Sequence, residues 1–333
     1  LFIFTSGSTA SPKIAALTLG NLIYSALGSL PLLNLTPGDS WLLTLPLYHV
    51  GGLGILLRCF LSGAEVLISK NSLPETLQLY PVSHLSFIPT HLYRLMREPH
   101  LYIDPLIKKA KCILLGGAPI SPHLYQKACL KGWKIFTTYG MSEMSSQVTM
   151  KTAQSGELDF GVPLKFRELS FASDQEILVR GKTLFQGYWS KETGILLPLS
   201  SEGWFQTKDL GGLTAGGQLI FSGRKDHLFI SGGENIQPEE IESALYQIPE
   251  VAEALVVPIA DEEFGARPVA FLTLEKAISL EAIREALQSL LPRYKIPIHF
   301  FPFPQTKNET KIKRGEWAKK AEALLKYPRA SQE

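Results

Sequence analysis

Cysteine is scarce in this chain: three residues in 333, Cys59, Cys112 and Cys129, far apart and without a C-x-x-C pair. That spacing supports neither a zinc ribbon nor a disulfide framework, and reads as free thiols in a reducing, cytoplasmic compartment. Net charge is nearly absent. Thirty-three Lys and Arg against 31 Asp and Glu leave +2, so electrostatics gives no reason to expect nucleic acid or an acidic membrane as partner. Long apolar runs are missing too. The longest, residues 50–61, is interrupted by Arg58 and falls well short of the ~20 residues a membrane helix needs. No signal peptide and no Walker A loop can be found. A starting Met is also lacking: the chain opens on Leu1, directly on an apolar stretch. A core strand at an extreme terminus is unusual, so an N-terminal portion that would cover it is expected to be missing.

What is present is enough for a large core and two domains: 333 residues, 45% hydrophobic and 19% charged. Leu1 to Phe4 reads as a buried strand, followed by Thr5-Ser6-Gly7-Ser8-Thr9-Ala10-Ser11-Pro12-Lys13. Small hydroxylated residues closed by one lysine can turn backbone N–H groups, hydroxyls and an ammonium toward one anion, or make an ordinary polar turn. Thr18 caps a helix that Pro31 and the Pro37-Gly38-Asp39 turn bring to an end. Strand-like and helical stretches then alternate as far as Thr137, which implies a parallel α/β core. From about Gly161 short strands and many glycines indicate a β-rich part, to about 223. Gly223-Arg224-Lys225-Asp226 reads as a linker, and a strong helix begins at Pro238 with Glu239 and Glu240 in its first turn. The division expected is a large domain over 1–225 and a small α+β domain over 226–333.

Several further stretches carry chemistry, each with an ordinary alternative. Gly116-Gly117-Ala118-Pro119 follows a strand, where open α/β sheets bind ligands, or is a plain turn. Tyr139-Gly140-Met141-Ser142-Glu143 gathers an aromatic face, a hydroxyl and a carboxylate. A carboxylate beside phosphates implies Mg²⁺, an ion that takes few protein ligands; otherwise Glu143 is simply solvated. Asp209 bonds a ribose or caps a turn. Arg224 bonds the same ribose or makes a surface ion pair. Lys311 lies in a basic loop that by itself reads as a solvated face. Arg58 interrupts an apolar helix, and an unpaired buried charge is costly. Either it pairs with an internal acid, or it faces a pocket and meets a substrate carboxylate.

Taken in order, Thr5-Ser6-Gly7-Ser8-Thr9 with Pro12-Lys13, Gly117-Ala118-Pro119, Tyr139-Gly140-Met141-Ser142-Glu143, Thr207-Lys208-Asp209, Gly223-Arg224-Lys225-Asp226 and Lys311-Ile312-Lys313-Arg314 resemble the adenylate-forming acyl-CoA ligase superfamily over nearly the whole chain. A narrower resemblance, to o-succinylbenzoate–CoA ligases of menaquinone synthesis, rests on three stretches. They are Ser145-Ser146-Gln147 after Glu143, Ile230 to Pro238, and Pro46-Leu47-Tyr48-His49-Val50 with Arg58 nine residues after His49. The resemblance implies an α/β adenylate-forming fold with a mobile C-terminal domain, and the substrates ATP, CoA and a small carboxylic acid, with Mg²⁺. It implies that Thr5, Ser6, Gly7, Ser8, Thr9 and Lys13 hold pyrophosphate, that Gly117, Ala118, Pro119 and Tyr139 frame the adenine, and that Gly140 and Met141 also belong to the ATP/AMP site. Ser142 touches the α-phosphate, Glu143 ligates Mg²⁺, and Asp209 and Arg224 hold the ribose. Lys311 bridges carboxylate and α-phosphate, Asp226 is the hinge, and Gly232 and Gly233 line the CoA tunnel. His49, Arg58 and Ser146 belong to the acyl pocket; by residue type alone His49 is equally a packed core residue. Ala10, Ser142, Lys208 and Thr310 depart from the family pattern without removing a required group. Two other readings stay open: a ligase for another aromatic or medium-chain acid, and a non-catalytic nucleotide-binding derivative. Self-association is left open.

Overall fold

The computed structural model describes residues 1–5, 13–97, 103–151, 157–303 and 314–326. They form two compact units. The larger comprises Leu1–Ile120, Leu124–Thr207 and Gly211–Phe221, and the smaller Ser222–Glu333 with Lys208–Leu210 and Ser121–His123.

In the larger unit, β1 (Phe2–Thr5) and β2 (Lys13–Ala16) form an antiparallel hairpin, followed by α1 (Leu19–Leu33). Thr18 caps α1 in a full capping box with Asn21. The helix does not stop at Pro31, as its sequence suggests. It runs on to Leu33 and ends at Asn34 with a left-handed φ of 51°. A proline in the last turn removes a single helical hydrogen bond, which the packing of Leu33 against Trp41 and Ile55 offsets. β1 also departs from its expected burial: Ile3 is buried, but Phe2 and Phe4 are 58% and 65% exposed. It is an edge strand paired only with β2, and the face that carries Phe2 and Phe4 lies open.

A seven-stranded sheet follows, built from β3 (Ser40–Leu42), β4 (Glu65–Leu67), β5 (His84–Phe87), β6 (Cys112–Gly116), β7 (Ile135–Met141), β8 (Ser146–Met150) and β9 (Val162–Pro163), in the order β4-β3-β5-β6-β7-β8-β9. The first five strands are parallel and the last two antiparallel. Helices α2 (Val50–Ser62), α3 (Leu73–Leu79), α4 (Pro89–Arg97), α5 (Ile103–Lys109) and α6 (Pro122–Leu130) connect the parallel strands, the crossover that parallel pairing requires. The β-rich part adds β10 (Arg167–Phe171), β11 (Glu176–Gly181), β12 (Gly187–Ser190), β13 (Gly194–Leu196), β14 (Phe205–Leu213) and β15 (Leu219–Arg224). β12 pairs with β2, so the β1–β2 hairpin is one half of a four-stranded sheet.

The smaller unit holds a tight hairpin, β16 (Phe229–Ser231) and β17 (Glu234–Ile236), then α7 (Pro238–Leu245). After these come the long antiparallel pair β18 (Val251–Asp261) and β19 (Gly265–Leu274), α8 (Leu280–Gln288), β20 (Phe300–Pro302) and α9 (Arg314–Lys326). Period-2 alternation divides β18 cleanly. Ala254 and Val256 join Ile241 and Leu245 of α7, whereas Leu255, Val257 and Ile259 face Trp317 and Ala321 of α9. Cys59 and Cys112 are buried free thiols and Cys129 a half-buried one. No helix among the described residues is long and apolar enough to cross a membrane.

Two glycines of one helix give an internally controlled test. A Cβ at Gly28 would lie 2.3 Å from Arg167 Nη1 and 2.6 Å from the Lys165 carbonyl, whereas at Gly20 the nearest neighbour is 3.5 Å away. Urea unfolding is expected to show Gly28→Ala destabilising by roughly 1–3 kcal/mol through overpacking. Gly20→Ala should gain up to about 1 kcal/mol of helix propensity. Lys208, in β14, has a φ of 63°. Lys208→Gly is therefore expected to raise the unfolding midpoint, relief of left-handed strain (~1 kcal/mol) exceeding the added chain entropy.

Candidate active site

β6 and β7 are neighbours in register, Gly116 opposite Thr138, so the two sequence stretches that follow them lie side by side at the carboxyl end of the parallel sheet. Their approach is close: a Cβ on Gly116 would come within 2.6 Å of the Thr138 carbonyl. Gly117 leaves the strand with a φ of 81°, opening the Gly117-Ala118-Pro119 turn. β7 continues through Tyr139, Gly140 and Met141, then reverses in a 3₁₀ turn over Ser142–Met144 into β8. The pairing slips at Tyr139/Gly140, and such bulges redirect side chains beside functional sites. Only glycine fits at 140, where a Cβ would stand 2.1 Å from the Ser146 carbonyl. Ser145 and Ser146 follow with φ of 57° and 113°, two consecutive non-glycine residues in sparsely populated conformations. Ser145 is pinned from both ends: its Oγ donates to the Thr183 carbonyl (2.8 Å), and its carbonyl accepts from Ser25 Oγ (2.7 Å). Tyr139, expected beside an adenine, is 7% exposed and packs its ring on Phe221.

The phosphate-loop candidate enters the same region through its ends. Thr5 and Lys13 are cross-strand partners, and Thr5 Oγ1 donates to the Lys13 carbonyl at 3.4 Å. Ser6, Gly7, Ser8 and Thr9 lie outside the described residues. Lys13 carries its ammonium over the ring of Tyr188, 4.6 Å from the centroid, and the Tyr188 hydroxyl donates to Glu143 Oε1 at 2.7 Å. One ring thus brings the loop lysine and the candidate metal ligand together. Sequence reasoning missed Tyr188, since a tyrosine in a Gly-Tyr-Trp run carries no chemical signal of its own. Its neighbour Phe185 secures the same turn by donating its N–H to the Glu143 carbonyl at 2.8 Å. Among the described residues no group of three or more His, Cys, Asp or Glu side chains gathers to hold a metal. Glu143 alone fits a hard ion that keeps waters and phosphate oxygens as its other ligands.

Among the described residues no internal acid pairs with Arg58. The guanidinium is 1% exposed. Nε donates to Ser29 Oγ (2.9 Å), Nη2 donates to Gln147 Oε1 (2.6 Å), and the group lies over Trp41 at 5.7 Å. Gly54, one turn earlier, leaves it room. Both partners are neutral, and burial draws its pKa down to about 10. Arg167, which sequence reasoning also missed, repeats the arrangement one turn along α1. Nη2 donates to Ser25 Oγ and its carbonyl, Nη1 donates to the Lys165 carbonyl, and Nε has no partner. Burial, and then the charge of Arg58, lower its pKa to about 9. Among the described residues neither arginine forms an ion pair with a carboxylate. His49 stands at the N-cap of α2 without a capping side-chain bond, its ring 4.6 Å from that of Tyr48.

In the smaller unit, the two ribose candidates and the hinge candidate form one ion-pair chain. Arg224 Nη1 donates to Asp209 Oδ1 at 2.8 Å, and Nε donates to Asp226 Oδ1 at 2.9 Å. Gly232 and Gly233, expected to line a tunnel, turn the β16–β17 hairpin with φ of 57° and 88°, the pattern of a two-residue primed turn. A Cβ at Gly232 would strike Phe264, whereas nothing stands within 4 Å of one at Gly233. Lys311 lies outside the described residues.

Comparison with known proteins puts this geometry in context. A family model described as AMP-binding enzyme matches residues 1–189, and one described as AMP-binding enzyme C-terminal domain matches residues 240–310. The chain is 38% identical over 301 residues to a 2-succinylbenzoate–CoA ligase of Salmonella typhimurium, and 35% identical over 315 residues to one of Bacillus subtilis. Each alignment covers 90% of this chain, which spans 64% of the length of each relative. Among solved structures, a point variant of E. coli MenE with bound OSB-AMS superposes with a TM-score of 0.83 at 34% identity, covering 96% of this chain and 68% of that one. B. subtilis MenE with ATP and magnesium superposes at 0.80 and 32% identity, covering 95% and 69%. A family model over more than half of the residues and relatives of this identity lead to one conclusion: the chain belongs to the AMP-binding enzymes, with the α/β fold of adenylate-forming ligases.

Proposed function

We propose that this chain is an AMP-forming acyl-CoA ligase whose acid is 2-succinylbenzoate. The observation that carries the reading is the Lys13–Tyr188–Glu143 contact, a cation and a carboxylate held at one ring beside the carboxyl ends of β6 and β7. A carboxylate oxygen attacks the α-phosphorus of ATP, and the bond to the pyrophosphate oxygen breaks. The CoA thiolate then attacks the acyl carbon, and the carbon–oxygen bond to AMP breaks. Both steps demand positioning and charge neutralisation rather than a protein nucleophile. Lys13 and the hydroxyl loop serve the departing pyrophosphate, Ser142 the α-phosphate, and Asp209 and Arg224 the ribose. Mg²⁺, held through Glu143, supplies charge neutralisation at the phosphates. Lys311 bridges carboxylate and α-phosphate as a compact point charge on a flexible stem. Asp226 is the hinge, and Gly232 and Gly233 face the CoA arm.

Two lines support the acid. Relatives named as 2-succinylbenzoate–CoA ligases match over nine tenths of this chain. Arg58 is a buried cation with only neutral partners, and the spare carboxylate of a dicarboxylic acid would supply the missing charge directly or through water.

Three outcomes test the proposal. Lys311→Ala should abolish ATP–pyrophosphate exchange yet leave thioester formation from supplied acyl-adenylate nearly intact; equal loss of both would remove the lysine from its role. Tyr188→Phe should slow adenylate formation on the order of tenfold and raise the Mg²⁺ requirement, since one hydrogen bond to a charged group is lost. Arg58→Met should weaken 2-succinylbenzoate by roughly 30–100-fold in kcat/KM while sparing benzoate-like monoacids. Parallel loss for monoacids and diacids would make Arg58 structural and favour a different acid.

A further inference from the structure

Arg314 opens α9, three residues beyond Lys311, and is heavily hydrogen-bonded. Nη1 donates to Glu242 Oε1 at 2.6 Å and to the Val256 carbonyl at 2.5 Å. Nη2 donates to Glu242 Oε2 at 2.9 Å and Glu239 Oε1 at 3.1 Å, and Nε faces His227 Nδ1 at 3.1 Å. All three nitrogens are engaged, by two residues of α7, the long strand β18 and the segment after the hinge candidate. The side chains are almost out of water: 12% exposed for Arg314, 9% for Glu239 and 6% for Glu242.

The cluster reaches back to both sides of Asp226. His227 Nδ1 lies 2.5 Å from Glu239 Oε1. Gln237 bonds Glu239 and donates to the Arg224 carbonyl at 3.1 Å, while Arg224 itself holds Asp226. Gly223 permits this approach, since a Cβ there would sit 2.4 Å from Gln237 Nε2. Burying such a group of charges is a poor route to stability, because desolvation consumes most of the attraction and apolar residues of similar volume do as well. What it provides is orientation: a planar fork fixed by bidentate bonds cannot rotate.

We infer that Arg314 is a positioning residue for the adenylation half-reaction, clamping the end of the Lys311 segment to the hinge through Glu239, Glu242 and His227. The inference rests on the reading of Lys311 given above. Covalent geometry makes the clamp effective, since three residues span at most ~11 Å. Whatever fixes Arg314 therefore acts on Lys311 through only three residues of chain. The contacts of Gln237 and Arg314 tie the same anchor to residues 224 and 227, on either side of the hinge candidate.

The test uses the full chain and three readouts: ATP–pyrophosphate exchange, thioester formation from supplied acyl-adenylate and CoA, and the thermal midpoint. Arg314→Lys keeps the charge but loses the fork. The double variant Arg314→Met with Glu242→Met removes cation and acid together, so that a folded protein remains. Both should lose roughly 30-fold or more in exchange and change thioester formation less than about threefold. Equal losses in both half-reactions, or near-parental exchange in the folded double variant, would overturn the inference and leave the Lys311 reading standing. A silent Lys311→Ala would overturn both.

Discussion

The chemistry of the larger unit depends on one amphipathic ring. Tyr188 offers its face to the Lys13 ammonium and its hydroxyl to the Glu143 carboxylate, so two opposite charges stay close without neutralising each other. Direct pairing would have closed the site on itself. The aromatic spacer keeps the two charges apart, and it is held in place because β12 pairs with β2, Tyr188 opposite Ala15. The strand that carries Lys13 therefore also pairs with the strand that carries the ring on which its ammonium rests.

Three buried arginines show how the same side chain serves different ends. Arg58 and Arg167 reach α1 one helical turn apart, at Ser29 and Ser25, and are bonded to serines, an amide and carbonyls. Their charges are uncompensated by carboxylates among the described residues, and burial lowers their pKa values to about 10 and 9. Arg314 is the opposite case. Burial alone would depress it, but Glu242 and Glu239 raise its pKa above the ordinary arginine value. A cation with neutral partners is prepared to receive an anion; one already saturated by two acids can only hold its surroundings in place.

Left-handed backbone at non-glycine residues occurs beside some of the candidate site residues. Ser145 and Ser146 hold positive φ just after Glu143, and Lys208 does so immediately before Asp209. At Gly117 and at the Gly232–Gly233 turn the chain meets the same demand with glycine. Where a side chain stands instead, surrounding hydrogen bonds such as Ser145 Oγ to the Thr183 carbonyl over-determine the turn.

The sequence by itself determined the α/β class, the alternation of strands and helices, the capped start of α1 and the family. These are local matters: hydrophobic period, a Thr–Asn capping box, and motif stretches whose glycines and hydroxyls are legible one at a time. It also marked Arg58 as a charge in need of a partner, without naming Ser29 or Gln147. Only the tertiary structure decided which partners meet. Tyr188 stands 45 residues from Glu143 and Arg314 stands 72 from Glu242, and no spacing rule connects them. It decided, too, that Phe2 and Phe4 lie open on an edge strand and that α1 runs through Pro31. The physical reason is common to all of these: burial and pairing belong to neighbours in space, and a sequence records neighbours only along the chain.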